Sequence, residues 1–119
     1  MKQFALLFRM DITTREAQPT KAEMEVYMQQ WMEWIHEISS QGQLSEGGNH
    51  FSRHGTVLKG KNAISDGTFM DGNTSVAGYI IILAENPDGA IDIARKCPIL
   101  NGENTSVEIR EIASPEHEL

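Results

Sequence analysis

The sequence predicts an α+β fold in which an antiparallel sheet packs against two helices. Short apolar segments near residues 4–8, 79–83 and 107–112 have the length of strands. A long segment after residue 20 spaces its apolar residues three and four apart, which is typical of a helix with one buried face. A second, shorter helical segment lies between the last two strands. The order strand, helix, two or three strands, helix, strand predicts a ferredoxin-like βαββαβ arrangement.

The first helix has clear start and stop signals. The polar residues 11–19 are expected to form a loop before it. Thr20 and Glu23 have the spacing of a capping box, so the helix is predicted to start there and to run to about Gln41. Gly42 suits the left-handed conformation that closes a helix. The apolar residues of this helix share one face, which is predicted to pack on the sheet or in part to line a ligand cleft: Met24, Tyr27, Met28, Trp31, Trp34, Ile35 and Ile38.

The second half of the chain is predicted to supply the remaining strands and the second helix. Turn dipeptides, a helix cap followed by proline, and period-two alternation mark its boundaries. The predicted elements are strands at residues 49–59 and 62–66, turns at Asp66-Gly67 and Asp71-Gly72, a strand at 79–83, a helix between Asn86 and Pro98, and a last strand with Val107, Ile109 and Ile112, in which Glu108 and Arg110 point the other way.

Two of these strands are apolar on both faces. A four-stranded sheet with two helices has one covered and one bare face, and a bare face needs polar residues at alternate positions. Residues 4–8 and 79–83 do not alternate in this way. Something must therefore cover the second face, and a second copy of the sheet is the most economical partner. The pattern predicts a homodimer.

Composition limits the classes of protein that fit. The 119 residues suffice for one domain, predicted to span residues 1–119. The net charge of −7 opposes contact with a phosphate backbone, so no direct nucleic-acid binding is expected, and the local bases Arg53, Lys59 and Lys61 are interpreted as a solvated hairpin face. The longest apolar run has nine residues against about 20 for a membrane span. With the single Cys97 and no signal-peptide pattern, the expectation is a cytoplasmic protein.

Several segments together resemble a known family. They are FALLF at residues 4–8, DGTF at 66–69, AGYIIIL at 77–83, ARKCP at 94–98 and SVEIREI at 106–112. This order resembles the DGPF domain of the YCII-related family, small α+β proteins that pair into dimeric barrels. The resemblance covers nearly the whole chain, and it implies a dimeric α+β barrel here. Thr68 stands where the family motif usually has proline.

The same resemblance makes Asp66 the candidate catalytic residue. In the family, an aspartate near this point is paired with a helix histidine in a proposed catalytic dyad. The matching helix position, eleven residues before Gly42, holds Trp31, so the dyad does not carry over. Asp66 remains open to two interpretations, a general base or a cap of its own turn. The candidate ligand-binding residues are Trp31, as an apolar wall, with Tyr27, His50 and Arg9.

No metal site and no cofactor are predicted. His50 and His54 are four residues apart, but they lie in a glycine-flanked hairpin, and the sequence has no CxxC or phosphate-binding loop. Cys97 is interpreted as a small buried residue. Two functions stay open: a non-enzymatic ligand-binding or regulatory accessory module with an apolar cleft, or a small-molecule enzyme that uses Asp66 as its base.

Overall fold

The structure is a computed structural model, and it describes residues 1–14, 18–61 and 63–113. The elements follow one another as a strand, a helix, four strands, a helix and a final strand, which is an α+β fold, and a 3₁₀ turn, Pro98–Asn101, follows the second helix. The elements are β1 (Lys2–Asp11), α1 (Lys21–Ser40), β2 (Leu44–His50), β3 (Thr56–Lys59), β4 (Ala63–Asp66), β5 (Thr74–Ala84), α2 (Pro87–Ala94) and β6 (Ser106–Glu111).

The main sheet has four strands in the order β2-β5-β1-β6, and every pair is antiparallel. Leu6, at the centre of β1, lies opposite Ile80 on one side and Ile109 on the other. The α+β prediction is confirmed, and the topology is compatible with a ferredoxin-like fold. A separate two-stranded hairpin, β3-β4, is inserted between β2 and β5.

Both predicted helices form where their caps indicated. The Thr20 hydroxyl accepts a hydrogen bond from the Glu23 amide, and the Glu23 carboxylate accepts one from the Thr20 amide, so the capping box is confirmed. Gly42 closes the helix with a φ of 71°. The Asn86 side chain caps α2 by accepting from the Gly89 amide at 2.9 Å. These caps satisfy amides that the helix itself leaves unpaired.

One face of the sheet packs against the helices and forms the core. Phe4, Leu6 and Phe8 alternate with half-buried residues along β1, and Ile80 and Ile82 do the same along β5. The other members of the core come from α1, α2 and the segment that follows it. They are Trp31, Trp34, Ile38, Ala84, Ala90, Ala94, Cys97 and Ile99.

The buried face of α1 is narrower than the apolar pattern of its sequence predicted. Only the side chains near the C-terminal half of α1 are buried in the core, namely Trp31, Trp34 and Ile38. The methionine stripe, which we define as Met24, Met28 and Met32, is exposed, and Met32 keeps 68% of its surface. The predicted packing of Met24 and Met28 on the sheet is therefore wrong for the single chain. The sheet reaches only one side of the helix, and the stripe lies beyond it.

The predicted strand at residues 49–59 is also wrong. The strand instead starts at Leu44 and ends at His50, and β3 begins only at Thr56. Pairing with β5 sets where β2 lies, because Leu44 pairs with Ile82 and the pairing continues, with an irregular register, to His50. The prediction for residues 62–66 is close to the observed β4. Asp11, assigned to the loop from the sequence, is the last residue of β1.

The β3-β4 hairpin, which we call the arm, stands apart from the main sheet. Its base is closed by a hydrogen bond from the Gly67 amide to the Gly55 carbonyl at 2.8 Å. Leu58 and Ile64 face each other across the two strands and keep 64% and 68% of their surface exposed. Among the described residues, the arm strands make extended contact only with each other.

Candidate functional site

The face of the main sheet away from the helices, which we call the open face, has an apolar centre. Ala5 lies opposite Ile81, and Leu7 opposite Tyr79, on the two central strands. All four side chains are half-buried although no helix covers them. Leu83 extends the patch beside Gln3. The prediction that these strands are apolar on both faces is therefore confirmed at the level of side-chain placement.

Polar groups surround this apolar centre. The Tyr79 hydroxyl donates to Glu46 Oε1 at 2.9 Å and accepts from the Asn49 amide group at 3.3 Å. On the opposite edge, Arg110 and Glu108 form an ion pair at 3.4 Å. A polar rim around an apolar floor is typical of ligand sites and of the centres of protein interfaces.

Arg9 belongs to the open face. It follows Phe8, a core residue, at a register shift in the β1-β5 pairing, and it lies opposite Val76. Arg9 is half-buried, and among the described residues it has no ion pair. Its guanidinium keeps five donors in a planar fork that matches carboxylate, phosphate or sulfonate oxygens. Arg9 can therefore anchor an anionic group at one end of the apolar floor.

The other three predicted ligand-binding residues meet on the helix side of the sheet. Trp31 is 7% exposed, and its ring lies 5.5 Å from that of His50 and 6.1 Å from that of Tyr27. Phe8 and Trp34 contact the same indole edge-on, at 4.8 and 5.3 Å. Trp31 is thus part of the core, and the exposed His50 lies over its outer side. The structure brings these three residues together and leaves Arg9 on the opposite face.

Tyr27 borders a separate cavity of about 320 Å³ between the start of α1 and the 3₁₀ turn. Burial raises the pKa of Tyr27 to about 12, and the nearby Cys97 thiol adds to this effect. The phenol therefore stays protonated at neutral pH and can act only as a hydrogen-bonding group. Cys97 itself is buried as predicted, and burial raises the pKa of its thiol to about 12. Such a thiol is a poor nucleophile.

Asp66 ends β4 on the arm, and its side chain is exposed. It lies opposite Thr56, on the same side of the arm as Leu58 and Ile64, since alternate residues of a strand share a face. The Thr68 hydroxyl, which could have bonded to Asp66, donates instead to the sulfur of Met70 at 3.3 Å. Within the described part of the chain, the Asp66 carboxylate accepts no hydrogen bond. A single copy therefore neither buries Asp66 nor uses it as a turn cap.

Asp11 is a buried carboxylate that the sequence analysis missed. Its Oδ1 accepts from the Thr13 and Thr14 amides, both at 2.8 Å. The Thr14 amide is the largest of the hydrogen-bonding causes that lower the pKa of Asp11 to about 2. Oδ2 is buried and has no partner among the described residues. The signal was present in the sequence, because an aspartate at the start of a polar loop, here Asp11-Ile12-Thr13-Thr14, often caps its own turn by accepting from amides two and three residues further on.

Two findings concern metals and membranes. In residues 1–14, 18–61 and 63–113, no group of three or more His, Cys, Asp or Glu side chains is placed to hold a metal ion. No helix within the same ranges is long and apolar enough to cross a membrane.

Comparison with known families identifies the family of this chain. The model of the YCII-related domain matches residues 8–113, from the middle of β1 to the end of the described chain. The chain belongs to the YCII-related family. The match includes the strand β5, the helix α2 and the Asp66-Gly67 turn. No curated protein matches the chain.

Proposed function

We propose that this YCII-related protein is a non-enzymatic module that binds a small molecule, in a regulatory or accessory role, and that it works as a homodimer. The open face supports this proposal. Ala5, Leu7, Ile81 and Leu83 form a continuous apolar surface on the two central strands. A sheet face that remained in water would carry polar residues at these positions. A second copy that pairs face to face would close the surface into the cleft of a dimeric barrel.

The residues around the cleft define the chemistry of the ligand. The floor is apolar, Arg9 adds one cation without an ion pair among the described residues, and Tyr79 with Glu46 offers hydrogen-bonding groups. This combination suits an apolar or aromatic molecule that has one anionic group. Charge-assisted bonds from arginine to such a group are stronger than neutral ones.

The position of Asp66 supports a module over an enzyme. A general base must contact the proton that it removes and usually sits in a site shielded from water. Asp66 is exposed on the arm, away from the open face and from the Tyr27–Trp31–His50 cluster. The alternative, an enzyme with Asp66 as base, would need a second chain to cover this residue.

Sedimentation velocity and dye binding test the proposal together. The wild-type chain should sediment at no less than twice its 13.3 kDa mass at micromolar concentration. It should also bind anilinonaphthalene sulfonate, an aromatic anion. Leu7→Lys should abolish both the dimer and the dye fluorescence. Arg9→Gln should keep the dimer and weaken dye binding at least about tenfold, since a hydrogen bond to a charged group contributes about 1.5–3 kcal/mol.

Val26→Lys is the matched control. Val26 is an exposed apolar residue on α1, away from the sheet, so the same change of charge there should alter neither measurement. A stable wild-type monomer would refute the homodimer. Dye binding that survives Leu7→Lys would show that the ligand site lies elsewhere.

A further inference from the structure

The methionine stripe borders an open groove along α1. The groove has a volume of about 850 Å³, and Met24, Met28 and Met32 form its floor. Glu25 and Glu33 line the same groove, with Lys21 at one end and His36 at the other. Methionine side chains are flexible and polarisable, so a methionine surface adapts well to an apolar partner. Nothing in the described part of a single chain covers this groove.

The helix that bears the groove is acidic. Four glutamates and one lysine occupy Lys21–Ser40. Among the described residues, neither Glu25 nor Glu33 takes part in an ion pair, whereas Glu37 pairs with Lys96. A partner for the groove should therefore combine an apolar surface with positive charge.

The arm has both properties. Leu58 and Ile64 form an exposed apolar pair across its two strands. Lys59 and Lys61 stand at its tip, next to this pair, and no described acidic side chain is bonded to them. Two exposed apolar residues at the end of a hairpin that is detached from its own core indicate a contact with another molecule.

We infer that the arm of one copy docks in the α1 groove of another copy. Leu58 and Ile64 lie on the methionine stripe, and Lys61 in the turn meets Glu25 and Glu33, with Lys59 reaching them round the end of the arm from its other side. The apolar and charged parts of the two surfaces are complementary.

This contact is distinct from the pairing of open faces. The helix α1 covers one side of the sheet, whereas the open face is the other side. Copies paired through their open faces would thus hold their grooves outward, free to accept arms from further copies. The arm contact adds an assembly step beyond the dimer. It joins two different surfaces, the arm of one copy and the groove of another, and such a heterologous contact either closes a ring or extends a chain.

Charge reversal on each side of the contact gives a direct test. Lys59→Glu with Lys61→Glu places negative charge opposite the glutamates, and Glu25→Lys with Glu33→Lys places positive charge opposite the lysines. Each double variant alone should lose the assembly larger than a dimer in sedimentation velocity. An equal mixture of the two should recover it, because every arm then meets a groove of opposite charge.

Salt and position provide the controls. The larger wild-type assembly should weaken between about 50 and 300 mM salt, as expected for exposed charges. Asp88→Lys with Asp92→Lys, a reversal of the same size at exposed positions of α2 that lie outside both the groove and the open face, should leave it in place. The mixture is then repeated with Leu7→Lys added to both charge-reversed variants. This removes the pairing of open faces, so any assembly that still sediments faster than a monomer is held by the arm contact.

Equal sedimentation of the wild type and both charge-reversed variants would overturn the inference, and so would a mixture that stays as small as its components. Loss of the dimer with Leu7→Lys, together with no effect of charge reversal, would leave the open-face proposal standing and remove the arm contact. Restored assembly in the mixture supports it even if the open-face proposal fails.

Discussion

Trp31→Ala tests whether the indole belongs to the core or lines a cleft. Trp31 is 7% exposed and contacts Phe8 and Trp34 at ring distances of 4.8 and 5.3 Å. Truncation of a buried tryptophan costs about 3–5 kcal/mol, because apolar contacts are lost and the cavity refills only in part. Each edge-on aromatic pair accounts for roughly 0.5–1.5 kcal/mol of this. We therefore expect a loss of about 4 kcal/mol, a large share of the 5–15 kcal/mol typical of a domain.

Urea unfolding followed by far-ultraviolet circular dichroism measures this loss. Val26→Ala is the matched control on the same helix, because Val26 is 57% exposed and does not line the groove. Its free energy of unfolding should change by no more than about 0.5 kcal/mol. All samples need the same protein concentration, since self-association adds to apparent stability. A loss below about 1 kcal/mol for Trp31→Ala would refute the assignment of Trp31 to the core.

Two further predictions concern the backbone and pH. Gly48→Ala should destabilise the chain by at least about 2 kcal/mol in the same assay, because a Cβ there would overlap the Tyr79 carbonyl and because the φ of Gly48 is 67°. Gly47→Ala is the control and should have no such effect, since a Cβ at Gly47 would point into open space. Hydrogen bonds lower the pKa of Asp11 from 3.8 to about 2, so its ionised form stabilises the fold above about pH 4 and this stabilisation is lost as the pH falls towards 2. Asp11→Asn should flatten the decline of the urea midpoint over that range, and an unchanged decline would contradict the assigned role.

The helices could be predicted from the sequence because their signals are local. Thr20 and Glu23 cap α1 through side chains three residues apart, and Asn86 caps α2 over the same distance. Such bonds form whatever the rest of the chain does. The final strand followed from plain alternation, and Val107 and Ile109 do pack against the core.

The strand β2 could not be predicted because pairing with β5 creates it. The segment that forms β2 has one large apolar residue, Leu44, and its Gly47-Gly48 pair resembles a turn. Gly48 lies so close to the Tyr79 carbonyl that only glycine fits, which shows that contact with the neighbour shapes the strand. The apolar spacing of α1 likewise identified a face, but it could not show how much of that face the sheet would reach.

Some contacts between the site residues could be predicted from local spacing, and others could not, because they depend on how the strands pair. Tyr27 and Trp31 lie one turn apart on a helix, so their proximity follows from spacing, and His50 joins them only because β2 ends beside α1. Arg9 was grouped with these three residues in the prediction, but it follows the buried Phe8 in β1 and lies on the other face of the sheet. The exposure of Asp66 depends on the arm leaving the sheet, which no local pattern indicated.

The place of the arm in the chain also affects how the protein could be divided. β1 and β2 precede the arm, β5 and β6 follow it, and β5 lies between β2 and β1 in the sheet. A break in the backbone at Gly60 would leave two fragments, and the first would lack the strand that joins its own two. Neither fragment could complete a sheet alone, so the pair should behave as a split protein whose halves fold only on mixing. Circular dichroism of the separate and mixed fragments would show this directly, and exposed hairpin tips are where chains tolerate such cuts best.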